Sequence, residues 1–533
     1  MGHDRAHEPG LGLAPAPAPR RALRGLPAAP LRAPLALPRA LRRARSPGRG
    51  PAADSLPRRR GGAPGAARAL EGAPGPGRAL ARGPVPAPAP GREQPGGQLS
   101  PSPARARLRG VRPVALRKEP AVLDAHDRDV LDPLTGLFKG LGPLAPRPSD
   151  PDLQLWAGTL APAGARHVDV AVGGAGWTQA AATLAGLGEG IERHQPCPLP
   201  GEEGVEASYA DWPLDEPALG PESWVLFHPE QHAREGFPFR PFTPATRLRW
   251  TSFRDLEGEP RWIPEELGFL YLRAGQDHVL SPGISTGLAA GRLTDPVVLR
   301  GVQEVVERDG LMGFWWGSYA LERWPLERAL AALPAPLLER LLRPQLTLSC
   351  YRVESPYSRN LCVVTCQGPE REGLCFSAGA ACRETLGDAF AKAAVEAVQG
   401  RSYVRWLLTR GVPPEPGRPR DFSEHAVFFS RFPEALERTA FARAQPAPER
   451  DFGGEAPETL AVLRARLEPA HPILVRSMTP LDLARDRRWR VVKVVIPGLQ
   501  AMHGNHELPL LGGPLWRPRG WSEWSEVIPH PFP

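Results

Sequence analysis

The stretch Ser285–Gly310, STGLAAGRLTDPVVLRGVQEVVERDG, decides how the rest of the chain is read. Thr294–Asp295–Pro296 supplies a capping residue followed by proline, which predicts a helix start with proline at the first helical position. An apolar stripe of Val298, Val302, Val305 and Val306 then recurs at helical spacing. Toward its end Glu304 and Glu307 stand three apart, followed at once by Arg308. Residues at that spacing project to the same side, so two carboxylates are presented together. Like charges there repel, and nothing in folding alone demands them.

Outward from this segment the same device recurs. GEGIERH (188–194) places Glu189, Glu192 and Arg193 at the end of a helix predicted from about Thr178 to His194, with Ala180, Leu184, Leu187 and Ile191 on one face. VEAVQGR (395–401) places Glu396 and Gln399, with Arg401 just beyond, on a helix predicted to start near Thr385, with Asp388 completing its cap, and to run to Gly400. A solvated face explains any single pair. Three pairs, two followed directly by arginine, point to a site. Converging carboxylates suit Mg2+, a hard cation that takes oxygen ligands and keeps phosphate as a partner, and arginine forks onto phosphate oxygens. The constellation reads as a metal–nucleotide site.

Composition divides the chain. Residues 1–120 hold 23 Lys/Arg against 6 Asp/Glu, and the remainder holds 43 against 52. The basic character belongs to the leading segment, so it is no argument for nucleic-acid binding. Dense Pro/Ala/Arg/Gly repetition there, with few bulky apolar residues, reads as disordered low complexity over residues 1–112, leaving 113–533 as the folded domain. No apolar run approaches the roughly 20 residues of a membrane span. The six cysteines (Cys197, Cys350, Cys362, Cys366, Cys375, Cys382) form no CxxC pair and read as buried reduced thiols of a cytoplasmic protein. Cys362 and Cys366 are expected on one side of a strand, and zinc is not expected.

Weaker signals are read as structural. Gly173, Gly174 and Gly176 fail the GxGxxG spacing and predict a tight turn between a strand at His167–Val172 and the first helix. His503 and His506 lack a third ligand and read as incidental, and Trp315–Trp316 with Trp521 and Trp524 read as core or interface aromatics. Strand signals at Leu346–Val353, Leu361–Thr365, Ile473–Val475 and Arg490–Val495 mix with the helices without a βαβ rhythm, which predicts an α+β class.

The glutamate segments together resemble the signatures of the YcaO superfamily. GEGIERH and Ser285–Gly310 resemble its two Glu-rich motifs and VEAVQGR its third, within a likeness running from DPLTGL at Asp132 through VIPGLQ at Val495 and LGG at Leu511 to Pro533. That family binds ATP without a P-loop, and GxxxxGK[ST] is absent here. The resemblance implies mixed sheets whose helices carry ATP and Mg2+. It makes Glu189, Glu192, Glu304, Glu307 and Glu396 the metal and phosphate-site ligands, with Arg193 and Arg308 on the phosphates and Gln399 on the nucleotide or metal shell. Two positions depart from the pattern. Gly186 replaces a usual serine, removing a hydroxyl contact, and Arg292 stands where some members present Asn to the nucleotide.

The chain closes on Pro529–His530–Pro531–Phe532–Pro533, a stiff proline-spaced segment that resembles the terminus of the azoline-forming branch, known from thiazole/oxazole-modified microcin biosynthesis. In that branch the terminus reaches the active site, so His530 and the Pro533 carboxylate are expected to assist proton transfer. The implied reaction is ATP-dependent cyclodehydration of Cys, Ser or Thr in a ribosomally made precursor peptide to thiazoline or oxazoline. Two rivals are thioamide or amidine formation on the same fold, and a scaffold that binds precursor peptide without turnover. Implied partners are the precursor peptide, a separate leader-peptide-binding protein, a flavin-dependent azoline dehydrogenase and a second copy of the chain, with no nucleic acid and no membrane.

Overall fold

The structure is a computed structural model that describes residues 123–533 apart from short stretches, the longest being 161–169. The reading of residues 1–112 lies outside the described residues, as does the start of the strand expected at His167.

Three sheets build the described part. The first joins β1 (Phe138–Pro143), β2 (Gln154–Leu160) and β3 (Val170–Gly176) in that order. The second contains β4 (Val205–Ala207), β5 (Leu248–Arg254), β6 (Pro260–Pro264), β7 (Leu288–Arg292), β13 (Leu474–Ser477) and β14 (Trp489–Val495), ordered β4-β5-β13-β14-β7 with β6 paired to β5. The third contains β8 (Leu321–Trp324), β9 (Thr347–Val353), β10 (Leu361–Glu370), β11 (Gly373–Cys382) and β12 (Gln445–Pro446), ordered β11-β10-β9-β8-β12. Pairing is antiparallel in each ladder except the short β12–β8 contact. The class is α+β, as the irregular rhythm of strand and helix signals predicts.

The glutamate helices fill the spaces around these sheets. The first (Gln179–His194) buries Leu187 and Ile191 with Val172 and Leu160 of the first sheet and with Leu288, Trp489 and Val491 of the second. The second (Val297–Trp315) lies between the second and third sheets: Val302 and Val306 pack with Val492 and Val494 on one side and with Leu361, Val363 and Phe376 on the other. It is buried on most of its circumference, as befits a central helix. The third (Leu386–Thr409) covers the opposite face of the third sheet, where Phe390, Ala393 and Ala397 meet Cys362, Val364 and Cys366. Alternation along β10 therefore assigns its odd residues to one helix and its even residues to another. The two cysteines share a side, and all six are buried.

Several local expectations are corrected. Gly173, Gly174 and Gly176 lie inside β3 and form no turn. Gly174 is needed because the first helix presses on the strand: a Cβ there would sit 2.2 Å from the Ala182 carbonyl oxygen and 2.3 Å from the Gly186 nitrogen. The same contact adds Ala182, Gly186 and Gly190 to the buried face beside the expected Leu187 and Ile191, and leaves Ala180 and Leu184 half-buried. In the second helix Pro296 takes the cap position itself, and Asp295 accepts the Arg292 amide at 2.7 Å instead of capping. The third helix starts as predicted, with Thr385 accepting the Asp388 amide, but it runs past Gly400 because Val404 and Leu407 keep burying the same face. Among the described residues, no helix is long and apolar enough to cross a membrane.

Candidate active site

The three helices converge on one cleft of about 2230 Å3, whose walls include Glu189, Glu192, Arg193, Arg292, Glu304 and Glu307. Arg308, Glu396, Gln399 and Pro533 line it too. Positions spread over more than three hundred residues of sequence thus share one space.

Strand-edge amides aim the carboxylates. Glu189 accepts the Gly173 amide of β3 at 2.8 Å. Glu304 accepts the Gly287 amide at 3.1 Å, and Glu307 accepts the Cys382 amide at the end of β11, also at 3.1 Å. Gly287 cannot be another residue without strain. Its φ is +83°, and a Cβ would fall 2.0 Å from the Val494 carbonyl oxygen. In each case one carboxylate oxygen is occupied, which fixes the group and leaves the other oxygen for a ligand. Gln399 reaches the same corner, since its Nε2 lies 3.1 Å from where a Gly173 Cβ would stand.

The charges are incompletely balanced. Arg193 lies 3.4 Å from Glu192, and Arg308 lies 3.6 Å from Glu304 and 3.9 Å from Glu307. Burial pushes the Glu192 carboxyl up to about 8, aided by the charges of Glu304 and Glu189 and opposed by Arg193. Burial likewise pushes Glu307 up to about 7, aided by Glu396 and Glu304 and opposed by Arg308 and Arg383. Glu304 acts on both, so it links the two carboxylate groups. This donor set fits a hard divalent cation: oxygen ligands from several elements, close enough to repel, with arginines beside them for phosphate. Glu189, Glu192, Glu304, Glu307 and Glu396 would hold Mg2+, and Arg193 and Arg308 would face the phosphates.

Three basic residues were missed from sequence. Lys392 pairs with Glu396 at 3.1 Å, four residues away on the same helix, a spacing that could have flagged it. Arg383 lines the cleft just after β11. Lys493 is buried in β14, where a lone charge in VVKVV is itself a signal. Its ammonium donates to the Ile284 and Thr286 carbonyls at 2.8 and 2.7 Å, and burial lowers it to about 8 despite the charges of Glu304 and Glu192.

Other candidates are placed differently from expectation. Arg292 reaches the cleft, but its guanidinium is engaged by Asp124 and Asp127, so it is a strut between the short helix Ala125–Val130 and β7. Gly186 faces β3 and is not on the cleft wall, so a missing hydroxyl there takes nothing from the cleft. His530 is 1% exposed and also off the wall. Its Nε2 donates to the His503 carbonyl at 2.8 Å, its own carbonyl accepts from His425 Nδ1 at 2.8 Å, and its ring stacks on His425 at 3.9 Å. Burial lowers it to about 3, which does not suit the proton-transfer role expected of it. Phe532 is buried against Phe314 and Trp315, and Pro533 emerges exposed at the cleft.

Comparison with known proteins agrees with this geometry. A family model described as YcaO cyclodehydratase, ATP- and Mg2+-binding, matches residues 173–500. No curated protein sequence matches the chain. Among solved structures, the fold is similar to a heterocyclase in complex with substrate and cofactor, at 18% identity and a TM-score of 0.55, covering 70% of this chain and 52% of the other. The chain thus spans about half the length of that heterocyclase. It is also similar to a chain of the E. coli microcin synthetase McbBCD complex, at 11% identity and a TM-score of 0.52, covering 74% of this chain and 96% of that one. At such identities the likeness shows a shared fold. The family match opens at the glycine whose amide holds Glu189 and takes in all three glutamate helices, so this chain belongs to the YcaO cyclodehydratase family, whose members bind ATP and Mg2+.

Proposed function

We propose that this chain closes azoline rings on Cys, Ser or Thr residues of a peptide at the expense of ATP. The observation that carries the reading is the convergence of three glutamate helices, with backbone amides pinning Glu189, Glu304 and Glu307, on one cleft. That cleft of about 2230 Å3 exceeds the roughly 300–1,000 Å3 of ordinary small-molecule sites, leaving room for a peptide beside the nucleotide.

In this reaction a side-chain thiol or hydroxyl bonds to the preceding backbone carbonyl carbon. The carbonyl oxygen takes the γ-phosphoryl group and departs as phosphate. The attacking atom, whose new bond closes the ring, and the amide nitrogen each lose a proton, and the ring C–N bond becomes a C=N bond as phosphate leaves. ATP and peptide become ADP, phosphate and azoline. Bound Mg2+ supplies charge neutralisation at the transferred phosphoryl group. The five glutamates fix that charge in place, and Arg193 and Arg308 orient phosphate oxygens. The chain at Pro533, which emerges exposed at the cleft wall, is proposed to assist proton removal.

A peptide substrate and a partner protein that holds its leader belong to this reading. The similar E. coli microcin synthetase is itself a complex, described also with pro-MccB17 bound. The test supplies the chain with its partner and a Cys/Ser/Thr-rich precursor. ADP release should depend on peptide, and the peptide should lose one water per ring by mass spectrometry. Peptide-dependent ADP release with oxygen exchanged for sulfur would select thioamide formation instead. Peptide binding without ADP release would select the scaffold.

A further inference from the structure

Where His503, Gly504 and Asn505 form part of the cleft wall lies a second cluster, distinct from the glutamates. His425 comes from the helix Phe422–Arg431, and His503 and His506 come from the loop beyond β14. All three are buried, and one ring nitrogen of each lies within 4.8 Å of the other two. Their ring centroids form a nearly equilateral triangle with sides of 5.8, 6.0 and 6.0 Å.

The hydrogen bonds around the triangle set its chemistry. His425 Nδ1 donates to the His530 carbonyl at 2.8 Å, and His506 Nε2 donates to the Val527 carbonyl at 3.1 Å. A carbonyl accepts and never donates, so these bonds fix the tautomers and leave lone pairs on His425 Nε2 and His506 Nδ1. Both atoms are buried without a hydrogen-bond partner, and so are both nitrogens of His503. Buried polar atoms are ordinarily paired, so these three imidazoles, with the unpartnered Nδ1 of His530 beside them, need an explanation. A ring whose outer N–H is held by a backbone carbonyl while its inner lone pair is unused is the arrangement that metal-binding histidines adopt.

We propose that His425, His503 and His506 bind a divalent first-row transition ion, zinc foremost, that clamps the C-terminal segment to the back of the cleft. Neutral imidazole donors select such an ion over Mg2+, which prefers oxygen. Zinc–nitrogen bonds of about 2.0–2.1 Å require the nitrogens to draw together, a movement that side-chain rotation can supply. Trp524 packs on His503 at 5.4 Å and on His506 at 4.9 Å, which shields the site on one side. Two ligands hold carbonyls of Val527 and His530, so the ion would fix the path of the chain just before Phe532 and Pro533.

The experiment uses untagged full-length protein made in zinc-supplemented medium. Elemental analysis should find about one equivalent of zinc after dialysis. Refilling chelator-stripped protein with Co2+ should give the visible absorption of a nitrogen-ligated tetrahedral ion, and Zn2+ or Co2+, but not Mg2+, should restore the lost Tm. His503→Gln and His506→Gln should each abolish retention, whereas Glu307→Gln should keep it. If a histidine variant fails to fold, the stripping and refilling of the natural chain decides alone. Folded protein that holds no zinc, and whose Tm and spectrum ignore added Zn2+ and Co2+, would overturn the proposal. So would zinc retained unchanged in folded histidine variants.

Discussion

The carboxylate cleft and the histidine chamber meet at His503, which lines the first and belongs to the second, and burial acts on them in opposite directions. In the cleft it pushes Glu192 up to about 8 and Glu307 up to about 7. In the chamber it lowers His506 to about 4 and His530 to about 3. Desolvation disfavours the charged form in both cases, so the carboxyls hold protons and the imidazoles shed them. The two regions differ in what a ligand then changes. A cation entering the cleft displaces protons and relieves repulsion. One entering the chamber meets lone pairs that are already free. The first site is therefore expected to be labile and pH-dependent, the second inert over the same range.

The largest effect that could break this contrast is on turnover. Glu307→Gln should keep its bond to the Cys382 amide and the fold, yet lower peptide-dependent ADP release on the order of 10³-fold, the upper range for losing one group that stabilises transferred charge. Near-normal turnover would remove Glu307 from the site. Next is the chain end: a short extension after Pro533 should cost ring formation about 10²-fold, the lower range for a displaced acid–base group, while ATP affinity stays level. Equal rates with and without the extension would take Pro533 out of the chemistry.

A subtler test follows from proton linkage. The raised glutamates bind more protons folded than unfolded, so their contribution to metal-free stability falls as pH rises from about 4.5 through about 8. The depressed histidines bind fewer protons folded, so theirs falls as pH drops below about 6.5. Mg2+ with ATP should therefore raise Tm more at pH 8 than at pH 6. A stabilisation independent of pH would mean the carboxylates are not the ligands. The smallest expected effect is at Gly186, where a Cβ meets nothing closer than 3.4 Å. Gly186→Ser should gain about 0.5 kcal/mol from helix propensity and leave nucleotide affinity unchanged. Tighter ATP binding in that variant would place the position on the nucleotide after all.

The glutamate helices were legible because spacing within one helix is local: residues three apart share a side whatever surrounds them. The Thr385 cap and the shared side of Cys362 and Cys366 were legible for the same reason. What went unread is contact between elements. Gly174 looks like a turn residue until the first helix is laid on β3. Nothing near Glu189 or Glu307 in sequence announces the Gly173 and Cys382 amides that hold them. His503 and His506 were visible as a pair, but their third member, His425, lies on a separate helix and gave no signal of its own. His530 stood out in sequence for its proline neighbours, yet its role is set by the rings it packs against.

The proposed activity requires that glutamates from separate helices form one Mg2+–nucleotide site. A double-mutant cycle on Mg2+–ATP affinity, using Glu189→Gln, Glu307→Gln and the double variant with peptide absent, tests it most directly. If both carboxylates serve one bound cation–nucleotide unit, the losses should be non-additive by more than about 1 kcal/mol. Losses that add within about 0.5 kcal/mol would put the two glutamates in independent sites and rule out a shared cation–nucleotide unit.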